Sequence, residues 1–207
     1  MEKERVLSRR ERERIRHRGE ILEAAKRIFV ESGYNSATMD AIASESEFSL
    51  ATLYKFFGSK ENLFVEILLQ MMEKLENQTE EILTRNSSCR QRAIDLFKAR
   101  LDLHWDNPGL VSLVQDVIRN HHGELDCLVD LKKRYISHVK RMAMFFSEGI
   151  TRGEFRDQGG NNLALVYEGV LHMYFGSTAE RKMRKRDLDE EVALLSIFLD
   201  GAATPSF

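Results

Sequence analysis

Apolar residues recur at three- and four-residue steps along most of this chain, and only two prolines, Pro108 and Pro205, interrupt 207 residues. Ile21, Ala25, Ile28 and Phe29 form one such row, Phe64, Ile67, Met71 and Leu75 a second, and Ile94, Phe97, Leu101 and Trp105 a third. Leu110, Leu113, Val114 and Val117 form another. The longest runs through Leu125, Leu128, Tyr135, Val139, Met142, Phe146 and Ile150. That spacing places each set on one face of a helix and leaves no alternation for a half-buried strand. Terminators fall at Ser32-Gly33, Gly58-Ser59, 85–88, 107–109, 120–123, 153–162 and 181–187. The pattern predicts an all-α chain of about nine helices. Three short ones fall within residues 18–57, longer ones follow, and the fourth, from 59 to about 84, is shared between the two parts.

A hydrophobic share of 43% with 31% charged residues suits a globular core and excludes a disordered or collagen-like chain. No run reaches the 18 or more apolar residues of a membrane span, and the charged N-terminus lacks the apolar stretch of a secretory signal, so a cytoplasmic protein without membrane partners is expected. Cys89 and Cys127, the two cysteines, read as reduced thiols. The net charge of −2 hides an asymmetry: residues 1–18 carry eight Lys or Arg against four Glu. A basic arm on an acidic body suits a polyanion at one end, although the interleaved Glu2, Glu4, Glu11 and Glu13 equally allow i,i+4 pairing on an extended first helix.

Residues 38–60, TMDAIASESEFSLATLYKFFGSK, hold two very short helices across a tight turn. Thr38 is placed to cap the first, with Asp40 in its opening turn, and Ser49 to cap the second. Ile42, Ala43, Leu53, Phe56 and Phe57 face inward, leaving Leu50, Ala51, Thr52, Tyr54 and Lys55 outward. An ordinary helical hairpin needs no exposed Thr, Tyr and Lys followed by Gly58-Ser59-Lys60; a helix-turn-helix uses such groups on phosphates and base edges.

These residues carry a family resemblance. From about Gly19 to Leu69, the alanine-containing first helix, Gly33-Tyr34, Thr38, Ile42-Ala43, Ser49, Thr52-Leu53-Tyr54, Phe57 and Ser59-Lys60-Glu61 occur together and in the order of the N-terminal domain of tetracycline-repressor (TetR) family regulators. GITRGEFR at 149–156 resembles, more weakly, the loop before that family's last two helices. The resemblance implies a homodimeric repressor released from a palindromic operator by a small effector. It divides the chain into a basic arm (1–18), a DNA-binding domain (19–62) and a regulatory and dimerisation domain (63–207). Thr38, Tyr54 and Lys60 match phosphate-contacting positions, and Ser49, Leu50, Ala51, Thr52 and Lys55 the groove-facing surface. Glu47 departs from the pattern where the family often has Gly in the turn, and Phe56 where Tyr or His is common. A non-Gly residue in left-handed geometry there costs roughly 1 kcal/mol.

Residues 161–178 are apolar around almost the whole helix, and 188–199 carry two rows, Leu188, Val192, Leu195 and Leu199 beside Glu191, Leu194 and Phe198, apolar apart from Glu191. Helices buried on two sides need a second partner, most simply the same pair from another subunit, with Gly169 and Gly176 permitting close approach. Phe97, Leu101, Trp105, Val114, Val117, Ile118, Met142, Phe145, Phe146, Tyr167, Met173 and Tyr174 are candidates to line an effector pocket suited to an apolar or aromatic ligand, and several must simply be core.

His104, His121, His122, Cys127, His138 and His172 show no zinc spacing. No phosphate-cradling glycine loop, HExxH or nucleophile elbow is present. Neither a metal, a cofactor nor an enzymatic role is expected. An activator of the same fold, or one answering a protein or metal signal, is the alternative reading.

Overall fold

The computed structural model describes residues 8–107, 109–110, 128–180 and 188–202. Eight helices lie among them, close to the nine expected: α1 (Arg9–Ser36), α2 (Met39–Ser46), α3 (Leu50–Phe57), α4 (Lys60–Leu83), α5 (Cys89–Asp106), α6 (Leu128–Thr151), α7 (Gly160–Glu180) and α8 (Leu188–Ala202). The chain divides into two compact units, residues 1–69 and 70–207, with the division inside α4.

In the first unit, α1 is not the short helix expected to begin near residue 18. Ser8 caps it at Arg9 through a capping box, its Oγ accepting from the Glu11 backbone N–H while Glu11 accepts from the Ser8 N–H. Residues 9–18, expected as an arm ahead of the first helix, are therefore its opening turns. Near the other end Gly33, at φ 77° and ψ 162°, breaks the helical backbone, a conformation closed to a residue with a Cβ. Beyond that break Tyr34 meets the Phe64 ring 4.8 Å away, and Phe29 lies 5.3 Å from Phe64. Ile21, Leu22, Ala25, Ile42, Leu53, Leu63 and Ile67 complete the core that braces α2 and α3.

In the second unit α5, α6, α7 and α8 converge on an aromatic centre. The Phe146 ring lies 5.5 Å from those of Phe155 and Tyr167 and 5.9 Å from Phe198. Tyr167, wholly inside, satisfies its hydroxyl by donating to the Ala93 carbonyl at 2.9 Å. The start of α7 crosses α6 so closely that a Cβ on Gly160 would lie 2.4 Å from the Ala143 carbonyl oxygen.

Candidate functional site

Two side-chain caps set the geometry of the α2–α3 motif. Thr38 Oγ1 accepts the Ala41 N–H at 3.1 Å to start α2, and Ser49 Oγ accepts the Thr52 N–H at 3.2 Å to start α3; each satisfies one orphan helix donor. Between them Glu47 stands at φ 58° and ψ 24°, the left-handed position expected from the family pattern, and Phe48 donates its N–H to the Ala43 carbonyl at 3.2 Å. Glu47 is the one non-glycine residue with positive φ among those described. Leu53 and Phe57 anchor the inner face of α3, with Phe56 only half-buried. Ser49, Ala51, Tyr54 and Lys55 are exposed, Leu50 and Thr52 half-exposed, and the Ser49 and Thr52 hydroxyls share a 2.8 Å hydrogen bond. Thr38 is also exposed at its cap. Hydroxyls, one phenol and one cation thus share an outward surface with a helix N-terminus, which favours anionic groups.

Lys60, matched to a phosphate-contacting position, is occupied within the unit. Its Nζ donates to the carbonyls of Tyr34 (2.9 Å), Ala37 (2.9 Å) and Asn35 (3.3 Å), and it sits 4.7 Å from the Tyr34 ring centre. It ties the start of α4 to the turn between α1 and α2. Arg18, counted with the basic arm, is likewise internal: it makes a two-pronged ion pair with Glu66, donates to the Phe56 carbonyl at 3.0 Å and covers the Phe57 ring. It thereby holds α1, the end of α3 and α4 together, a role that charge counting missed.

Of the expected pocket residues, Phe97, Leu101, Met142, Phe145, Phe146, Tyr167 and Tyr174 come together in the core of the second unit, with Trp105 half-buried against it. Val114, Val117 and Ile118 lie outside the described residues. Met173 is 76% exposed, on the outward stripe of α7 with Leu165 and Val166; Ile197 of α8 is 74% exposed. An open groove of about 760 Å³ runs beside Lys140, Met144, Ser147 and residues 159–162, none of them among the expected lining.

Polar groups that periodicity did not reveal sit inside this core. Arg100 of α5 grips Glu168 of α7, its two terminal nitrogens lying 3.1 and 3.4 Å from the carboxylate oxygens, and His138 Nε2 of α6 is 3.0 Å from the same carboxylate. Burial pushes the Glu168 carboxyl up, but the Arg100 charge and the hydrogen bond and charge of His138 outweigh it and hold the group at about 2. Trp105 Nε1 and the Tyr174 hydroxyl both donate to buried Glu191, at 2.9 and 3.0 Å. Burial lowers His172, whose ring stacks 6.0 Å from Tyr135. Among the described residues no group of three His, Cys, Asp or Glu is placed to hold a metal. His121, His122 and Cys127 lie outside them.

A family model described as bacterial regulatory proteins of the tetR family matches residues 21–67, the segment that builds this motif. The chain is 36% identical over 182 residues to the uncharacterized HTH-type transcriptional regulator YhgD of Bacillus subtilis, covering 86% of this chain and 92% of that protein. The chain belongs to the tetR family. It is accordingly a DNA-binding transcriptional regulator. Solved transcriptional regulators share the fold. The regulator FadR of Bacillus subtilis, in complex with stearoyl-CoA, superposes with a TM-score of 0.78 at 16% identity, over 88% of this chain and 98% of that one. A regulator of Saccharomonospora viridis in complex with choline does so with a TM-score of 0.76 at 24% identity, over 92% and 100%. No helix among the described residues is long and apolar enough to cross a membrane.

Proposed function

We propose that this regulator is a homodimeric repressor that reads an inverted-repeat operator with α3 and leaves it when a small molecule occupies the second unit. The observation that supports this most strongly is the outward surface of α3: Ser49, Leu50, Ala51, Thr52 and Lys55 enter the major groove, with small Ala51 allowing close approach. Thr38 and Tyr54 hold phosphates at its margins, and Lys60 braces the turn beside them and adds its charge. The first unit, residues 1–69, is the DNA-binding part, since Leu63, Phe64 and Ile67 belong to its core and carry it past the boundary expected at 62, and residues 70–207 are the regulatory and dimerisation part.

A second copy covers the outward stripe of α7, where Leu165, Val166 and Met173 are exposed, together with Ile197 of α8. Such a dimer carries two α3 helices to half-sites about 34–36 Å apart. The effector is a small molecule with hydrophobic or aromatic character. It is recognised by residues among Phe97, Leu101, Trp105, Val114, Val117, Ile118, Met142, Phe145, Phe146, Tyr167 and Tyr174, whereas Met173, on the outward stripe of α7, belongs to the subunit contact; the complexes of two neighbours with choline and stearoyl-CoA support a small-molecule effector. Because α4 belongs to both units, a ligand that prefers one position of α4 changes the separation of the two reading helices, and its effect on DNA affinity is set by that preference. The protein acts in the cytoplasm, by binding and without turnover.

The test is titration of the protein against a duplex selected from a random pool and against a scrambled duplex, with and without a panel of hydrophobic and cationic compounds. The expected result is a specific complex that one class of compound dissociates. Equal affinity for both duplexes, or a complex that every compound leaves intact, contradicts the reading.

A further inference from the structure

We infer that the opening turns of α1 form a rigid second DNA contact, in which Arg10 and Arg14 hold the phosphate backbone beside the groove entered by α3. The inference rests on the DNA-binding role and adds to it an element that the short matched segment, 21–67, does not reach.

The arginines of this segment divide by helix face. Arg9 pairs with Glu13 at 3.1 Å and Arg16 with Glu20 at 3.7 Å, so one stripe of α1 neutralises itself through i,i+4 pairs. Arg18 is committed to Glu66 inside the unit. Arg10 and Arg14 are exposed and make no ion pair or hydrogen bond among the described residues.

At steps of four, three and four they share a helix face with His17 and Ile21. That face is the inner one. Ile21 is wholly buried, and the His17 ring packs 5.1 Å from that of Phe48, the turn residue immediately before the Ser49 cap of α3. Followed outward from the core, the same face passes the helix-turn-helix turn and emerges as two cations that no described residue pairs. At 1.5 Å per residue they stand about 5 and 10 Å along the axis beyond His17. Two guanidiniums one helical turn apart, on the helix face that meets the turn before the reading helix, suit consecutive phosphates of the strand bordering the major groove. The Ser8–Glu11 capping box holds these turns helical before DNA arrives, which lowers the ordering cost of the contact. A backbone contact of this kind adds affinity without sequence preference.

The experiment compares the full chain with Arg10→Gln/Arg14→Gln and with the charge-neutral control Arg9→Gln/Glu13→Gln. Affinity for a selected duplex and for a random duplex is measured from 50 to 300 mM salt, with circular dichroism as the check on folding. Each lost phosphate contact lowers the slope of log affinity against log salt by about 0.9, so the first variant should lose about 1.8 per bound protomer. It should also weaken both duplexes by the same factor, while the control keeps the parent slope. An unchanged slope in the first variant, an equal loss in the control, or weakening confined to the selected duplex overturns the inference. If the parent protein binds neither duplex, the DNA-binding reading fails instead.

Discussion

Replacing Glu168 by Gln keeps the shape of the side chain and removes its charge, leaving Arg100, 12% exposed, and buried His138 facing a neutral amide. The size of the loss follows from the carboxyl's own titration. Held at about 2 where an ordinary glutamate sits at 4.5, it is favoured in its charged form by about 3 kcal/mol in the folded state. Because the folded value is the lower one, this stabilisation is fully present above pH 4.5 and disappears as the pH falls from 4.5 through about 2. Removing one partner of a buried pair typically costs about 3–5 kcal/mol, in agreement. Trp105 is the sole tryptophan and lies in the second unit, so its fluorescence during urea unfolding reports on the affected region. At pH 7 the variant should lose about 3 kcal/mol, or about 10 °C in Tm, and the gap to the parent should shrink steadily below pH 4.5. Arg100→Met/Glu168→Leu, which removes both charges and fills the space with apolar atoms, should recover most of the loss. A Glu168→Gln loss below about 1 kcal/mol, or a gap that ignores pH, would refute the reasoning.

Glu47→Gly relieves a left-handed backbone at φ 58° and should raise the stability of the first unit by up to about 1 kcal/mol, after the entropy of the added glycine is subtracted; a lower melting temperature would count against the strain. Lys60→Ala strips three carbonyls of their shared donor and should cost that unit about 2 kcal/mol, with hydrogen exchange accelerating first at residues 34–37. Weaker DNA binding with unchanged exchange would instead make Lys60 a plain phosphate ligand. Met173→Glu/Ile197→Glu places charge on the exposed apolar stripes of α7 and α8 and should shift the sedimentation of the protein from dimer to monomer without loss of helicity. A dimer of parental strength would move the subunit contact elsewhere.

The helical architecture and the reading motif were legible because both are local. Apolar spacing betrays a helix within a few turns, and Thr38 and Ser49 act on backbone groups only three residues ahead, so one-dimensional reading reaches them. The start of α1 was also written in the chain, as Ser8-Arg9-Arg10-Glu11, a capping box whose Glu11 is one charge among many in a run of mixed sign. The engagement of Lys60 and Arg18 was not legible. Their partners lie more than twenty residues away, and an exposed phosphate donor and an internal brace carry the same residue type. The Arg100–His138–Glu168 cluster was hidden for the same reason, since it joins three helices across separations of 30 to 68 residues. Amphipathic patterning registers such residues only as polar interruptions. Of the aromatic centre, Phe146 and Tyr167 are among the candidate lining residues named from the sequence, whereas Phe155 and Phe198 are not. Spacing did not separate residues buried in the core, such as Phe146 and Tyr167, from one turned outward, such as Met173.

The central claim, that the outward surface of α3 reads base pairs, is tested most directly by sequencing duplexes that the protein captures from a random pool, beside those captured by Thr52→Ala and Lys55→Ala. The account predicts an inverted repeat whose half-site centres lie about one helical turn, roughly 10 base pairs, or a multiple of it apart. In the two variants, preference should be altered or lost at symmetry-related positions. Capture without enrichment, or variants that recover the parent sequence with uniformly lower yield, would contradict it.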